Sequence, residues 1–133
     1  MDKALLVFLG GGIGSVLRYL LQLWLDAPPG GDSRPGWPWG TLAANVAGSA
    51  AAGALAGLAT TRLALDEHAR LLVGVGLLGG FTTFSALAAQ TVEVGNASPA
   101  RGAAYVAASN ILGIGAAWSA YAIVRALALP RST

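Results

Sequence analysis

The side chains able to do chemistry in this chain are hydroxyls, amides and aromatic rings, and almost none has an ionisable neighbour. Gly79-Gly80-Phe81-Thr82-Thr83-Phe84-Ser85 gathers three hydroxyls and two rings behind a glycine pair. Tyr105 and Ser109 lie one helical turn apart, so both hydroxyls share a face of any helix there. Ser109 is also able to bond its own helix backbone, and Asn45, an amide in an apolar run, suits either interhelical hydrogen bonding or ligand donation. Arg18 is a guanidinium inside another apolar run, where it costs at least about 2.5 kcal/mol and usually faces a partner or a wet cavity. It also lies near enough to the end of its run to snorkel. His68 stands beside Asp66 and Glu67 in a polar stretch, which predicts a solvated imidazole. No histidine pairs with an acid within an apolar run, and no spacing of His, Cys or acids suits a metal. Hydroxyls and amides without a base do not activate a nucleophile, so the chain is not expected to be an enzyme. Neutral donors and rings beside a break in a helix are the equipment of an ion path.

The elements that must position these groups are membrane spans. The 133 residues are 55% hydrophobic and 11% charged, with a mean hydropathy of +0.63, whereas soluble domains carry about 25% charged residues. A chain of this length has room for roughly four spans of about 20 residues and little else. The expected architecture is an all-α membrane protein, a single transmembrane domain with helices over about 4–24, 38–59, 71–92 and 102–128. The third is expected to break near Gly79–Thr83, because two glycines lose helix propensity and the hydroxyls compete for the backbone. Non-helical peptide at membrane depth persists only where protein buries it or it lines a cavity, which makes the break a site candidate. The first apolar run contains Arg18 and is followed by no small-residue cleavage site, so it is expected to remain as a helix.

Between the runs lie turn formers: Asp26 to Gly36, the charged Thr60 to Arg70, and Gly95-Asn96-Ala97-Ser98-Pro99. Trp24, Trp37 and Trp39 suit an interfacial aromatic belt. Ser49, Gly53 and Gly57 form a small-residue ridge for close helix packing, and Gly10-Gly11-Gly12-Ile13-Gly14 reads the same way. A phosphate loop is excluded there, since neither a strand nor a P-loop lysine accompanies the glycines. Cysteine is absent, which removes disulfides and thiolate chemistry. The net charge of +2 is scattered and offers nucleic acid no basic stripe. Four spans place both termini on one side. That side, with the loop between the second and third helices, holds Lys3, Arg62, Arg70, Arg125 and Arg131, against Arg34 and Arg101 opposite and Arg18 leaning that way. The bias favours termini inside by a modest margin.

Three blocks together carry a resemblance. Gly11-Gly12-Ile13-Gly14-Ser15-Val16-Leu17-Arg18-Tyr19, then Trp39-Gly40-Thr41-Leu42-Ala43-Ala44-Asn45-Val46-Ala47-Gly48-Ser49, then Gly79 to Ser85 resemble, in order and spacing, the signature blocks of the CrcB/Fluc family of fluoride channels. The resemblance implies an antiparallel dimer of four-helix subunits in the cell membrane (plasma membrane or cell inner membrane), with two fluoride pores and a structural sodium ion at the interface. It implies that backbone carbonyls of Gly79 and Thr82 from both subunits hold the sodium. It further implies that Asn45, Phe84, Tyr105, Ser109 and Thr41 line the fluoride path, with Arg18 at a vestibule. One position departs from the pattern: Leu87 stands where the family usually has a second phenylalanine, and leucine has no electropositive ring edge to offer an anion. Elementary electrostatics agrees with the implied chemistry. A bare anion in a low-dielectric interior needs water replaced by positioned donors, and a fixed cation lowers the barrier further.

Two other functions compete. A small four-helix proton-coupled multidrug exporter would need an embedded carboxylate, and only Glu93, at the end of the third helix, comes near one. A non-conducting partner subunit of a heterodimeric channel would account for Leu87. The partner is therefore a second copy in an antiparallel homodimer, or an oppositely inserted paralogous subunit. Dual topology needs nearly balanced charge, whereas a fixed orientation fits the bias towards the termini side.

Overall fold

The computed structural model describes residues 2–26, 36–61 and 65–128. Most of the first predicted loop lies outside these, as do Arg34, Arg62 and Arg131 of the charge count. Among the described residues, four stretches are long and apolar enough to cross a membrane: Lys3–Leu25, Trp39–Ala59, Glu67–Ala97 and Pro99–Ala128. The chain is thus an all-helical membrane protein of four spans. The first span is α1 (Lys3–Leu25), capped by the Asp2 carboxylate, which accepts from the Ala4 N–H at 3.1 Å. Beyond its far end, the Asp26 carboxylate accepts from the Gly40 N–H at 2.7 Å, tying the exit of α1 to the first turn of α2 (Trp39–Ala59).

The third span is a composite. It opens with α3 (Glu67–Ala69), capped by Asp66 at 2.7 Å from the Ala69 N–H, so the span begins four residues before the expected Leu71. A π-helical stretch, Arg70–Leu77, leads into α4 (Leu78–Phe81). The helix is interrupted at Thr82 and Thr83, both extended, and resumes as α5 (Phe84–Ala97). The break therefore falls on the threonines, while Gly79 and Gly80 sit in the helical turn before it. The predicted turn at Gly95–Pro99 contracts to Ser98 alone, with α6 (Pro99–Ala128) starting at a proline suited to a first turn. A Cβ added to Gly102 would come 2.9 Å from the Gly95 Cα, so this hairpin is tight.

Contacts at the helix ends define the topology. Lys3 bridges to Glu67 at 2.7 Å, Gly57 lies against Tyr121 and Val124, and Gly40 lies against Gln22. The start of α1, the end of α2, the start of the third span and the end of α6 accordingly share one end of the bundle. Glycine lets the backbones meet. Gly10 and Gly14 of α1 abut the backbone of Leu72–Leu77 and Phe81, and Gly80 abuts the Gly11 carbonyl. On the other side, Gly53 abuts the Ala117 carbonyl and Ser49 meets Gly113, which places the predicted ridge against α6. Close backbone approach replaces the hydrophobic effect as the cohesive force between helices in lipid.

The core is small: Leu42, Leu87 and Tyr105, with Trp37 and Val46 packed against them. Leu87, which stands where the resemblance has a second phenylalanine, is 8% exposed and belongs to this core. By contrast Phe8, Trp24, Phe84, Trp118 and Leu127 stand exposed, as lipid-facing or partner-facing side chains do.

Candidate ion site at the broken span

The break is held open by side chains that take over main-chain bonds. In a continuous helix the Thr83 N–H would donate to the Gly79 carbonyl; here it donates to Asn45 Oδ1 at 2.8 Å. Asn45 Nδ2 in turn donates to the Thr83 carbonyl at 3.1 Å, so one amide from α2 clamps both polar groups of Thr83. The Ala86 N–H, the helical donor for the Thr82 carbonyl, is taken by Thr83 Oγ1 at 3.2 Å as the cap of α5. The carbonyls of Gly79 and Thr82 have therefore both lost their helical donors. Oxygens released in this way are what a hard cation requires, and Gly79 lies exposed with nothing within 4 Å of a Cβ built on it. Residues and geometry fit a sodium ion shared with a facing surface.

Gly80 is treated differently. Its carbonyl accepts from Arg18 Nε at 3.3 Å and from Ser15 Oγ at 3.4 Å. Arg18 is half-buried and bonded to the turn before the break, so its partner is backbone. The Thr82 hydroxyl doubles the main-chain bond to the Leu78 carbonyl, at 2.9 Å, and closes the final turn of α4.

Against the break lies a groove of about 260 Å³ between α2, α5 and α6, lined by Asn45, Ser49, Thr83, Phe84, Ser109 and Asn110, with Leu87 and Gly113 among the others. Three predicted site residues, Asn45, Phe84 and Ser109, meet there. Ser109 is 6% exposed and its hydroxyl has no partner among the described residues, so it does not bond its own helix. Phe84 is 80% exposed at the groove edge. Thr41 and Tyr105 are fully buried and outside the groove lining. The Tyr105 hydroxyl donates to Gln90 Oε1 at 3.0 Å, and Gln22 Nε2 donates to Thr41 Oγ1 at 2.7 Å. Tyr105 joins the two regions by standing one turn before Ser109 on α6.

Several site residues were not singled out from sequence. Ser49 is one turn after Asn45 and was legible by spacing, although its place on the small-residue ridge hid it. Gln22 and Gln90 had no local signal, being 19 and 15 residues from their partners. Glu93 lines a separate cavity with Asp26, Trp37 and Gln90 towards the end of α5, not the break.

A four-span membrane protein with a broken third helix, released carbonyls and a groove of neutral donors has the build of an ion channel subunit. The family model described as "CrcB-like protein, Camphor Resistance (CrcB)" matches residues 5–121, and the chain belongs to this family. It is 44% identical over 128 residues to the fluoride-specific ion channel FluC of Rhizobium etli, covering 96% of this chain and 99% of that one. It is 45% identical over 112 residues to the protein of that name from Erythrobacter litoralis, covering 83% and 82% of the two chains. With the counterpart from a Roseiflexus species it shares 43% over 122 residues, or 91% and 95%. The family is one of ion channels rather than enzymes, and the protein is a multi-pass protein of the cell membrane.

Proposed function

We propose that this protein is a fluoride-specific channel that lets fluoride leave the cell and so lowers its cytoplasmic concentration, working as an antiparallel dimer with a structural sodium ion between its subunits. The observation that carries the reading is the buried, unpartnered Ser109 hydroxyl on a groove that also presents Asn45 and Phe84. An anion stripped of water needs donors that are not already spent. Ser109 has one, Asn45 Nδ2 retains a second hydrogen after bonding Thr83, and the edge of the Phe84 ring is electropositive. Phe84 protrudes, so in a dimer it would wall a path shared with the partner rather than one inside a single subunit. Tyr105 and Thr41 would extend the hydroxyl track beyond Ser109, and Arg18, held on the Gly80 carbonyl, would supply positive potential that favours anion entry.

Sodium would be held by the Gly79 and Thr82 carbonyls of both subunits. When bound there it supplies fixed positive charge beside the anion path. Asn45, by keeping the Thr83 N–H, holds the first of those carbonyls free. The partner is a second copy inserted the other way, or an oppositely oriented paralogue. Leu87 fits its own subunit's core, which removes one ring from the path and favours testing the paralogue explicitly.

The test is fluoride efflux from liposomes carrying the purified protein, read with a fluoride electrode. Fluoride-dependent efflux well above empty vesicles, with chloride excluded, is expected. No efflux from a well-folded sample would refute the homodimeric channel, and restoration by a co-reconstituted paralogue would assign the heterodimer.

A further inference from the structure

On the same face of the α2–α6 pair as the groove at the break, and one to two turns further towards the termini end of the bundle, a second groove of about 310 Å³ is lined by Gly53, Ala56, Ala117, Trp118 and Tyr121. Its floor consists of glycine and alanine, because the Gly53 and Gly57 contacts bring α2 and α6 together without side chains to fill the space. Its wall is aromatic, Trp118 and Tyr121 meeting edge to face with ring centroids 6.0 Å apart. One turn beyond Tyr121, the Arg125 guanidinium carbon stands 5.5 Å from the Tyr121 ring centroid, and its Nη1 donates to the Tyr121 hydroxyl at 3.3 Å. No carboxylate among the described residues lies within salt-bridge distance of Arg125, which is exposed. At 1.5 Å per residue Arg125 is about 4.5 Å from the helix end at Ala128, and Trp118 is about 15 Å from it. The groove thus runs from the headgroup level towards the middle of the hydrocarbon, with the exposed Arg125 guanidinium at its wet end.

We propose that this is a binding site for an anionic phospholipid, whose acyl chain fills the α2–α6 groove and whose phosphate pairs with Arg125. Charge complementarity selects this occupant. An acyl chain alone would leave the guanidinium without an anion, whereas a basic side chain at the headgroup level beside an apolar interhelical cleft meets both halves of the lipid. The Tyr121 ring and hydroxyl pre-position the guanidinium and reduce what ordering costs on binding. Arg125 and the groove residues are separate from the residues proposed to hold fluoride and sodium, so the inference is independent of that reading.

The experiment is native mass spectrometry of the protein released from nanodiscs containing equal amounts of dioleoyl phosphatidylglycerol and dioleoyl phosphatidylcholine. The parent is expected to retain the anionic lipid about fivefold over the zwitterionic one, one basic residue's contribution at an anionic surface. Arg125→Gln should bring that ratio close to one, and Ala56→Phe, which fills the groove, should lose both lipids. Arg125→Gln alters no buried atom and carries the test by itself if Ala56→Phe fails to fold. Equal retention of the two lipids by the parent, or an unchanged ratio in Arg125→Gln, would overturn the proposal. So would a change of oligomeric state in folded Ala56→Phe, which would assign the groove to a second copy of the chain.

Discussion

Asn45 joins the two functions that a buried amide offers. It clamps Thr83 through a donor and an acceptor, and it also stands on the groove. Asn45→Asp replaces the Nδ2 donor with a carboxylate facing the Thr83 carbonyl. The expected outcome is abolished fluoride efflux with a loss of about 1–3 kcal/mol of stability, measured on one sample by electrode and by thermal unfolding in detergent. Ser109→Ala separates activity from stability. Its hydroxyl is buried and unpartnered, so removal should leave the melting temperature equal or higher, while fluoride flux falls about tenfold for a lost hydrogen bond to a charged ligand. Phe84→Ile should likewise reduce flux severely without unfolding, since the ring is 80% exposed and supports no core. If Asn45→Asp and Phe84→Ile both fold and conduct like the parent, the groove is not the path.

The neighbouring glycines of the third span have opposite environments, which gives a prediction about the element as a whole. A Cβ on Gly80 would run into the Gly11 carbonyl of α1, and the backbones would have to part. Gly80→Ala should therefore destabilise the subunit by about 1–3 kcal/mol, the usual cost of overpacking. Gly79 meets no atom within 4 Å of its added Cβ, so Gly79→Leu should leave the helical content of the subunit intact. The same variant should weaken assembly and abolish its sodium dependence, as followed by cross-linking in sodium against potassium. An unchanged dimer with unchanged sodium dependence would contradict the sodium placement. The π-helical stretch Arg70–Leu77 runs directly into this turn and packs Gly76 against Gly10, so α1 supports the turn before the break while Asn45 of α2 holds the break itself.

For the whole molecule, orientation in the membrane determines which partner completes the channel. Among the described residues, Lys3, Arg70 and Arg125 lie at the termini end of the bundle and Arg101 near the other. Lys3 is paired with Glu67, so two of these basic residues are left on the termini end without a salt bridge. The difference is modest, and an antiparallel homodimer requires the chain to insert both ways. A C-terminal tag probed from each side of intact cells decides the matter. Comparable labelling from both sides is the expected result for a homodimer. Labelling confined to the cytoplasm would mean that a lone chain cannot form the antiparallel pair and that an oppositely inserted paralogue completes it.

Composition and periodicity alone determined that the chain is a four-span membrane protein, because burying this much apolar surface leaves no soluble alternative and because lipid permits only helices here. The three motif blocks and their order identified the family. Spacing along one helix placed Tyr105 and Ser109 on a shared face and marked Ser49, Gly53 and Gly57 as a packing ridge. The location of the break depended on tertiary structure. Within the expected Gly79–Thr83 stretch the interruption lies at Thr82 and Thr83, since an amide 38 residues away competes for the Thr83 N–H. The same holds for the inward turn of Leu87 to meet Leu42 and Tyr105, the pairing of Gln90 with Tyr105, and the capture of the Gly80 carbonyl by Arg18. Each is a contact between separate helices. One sequence window records which side chains share a helix face; which distant donor a freed carbonyl or amide meets is set only when close-packed helices bring them within about 3 Å.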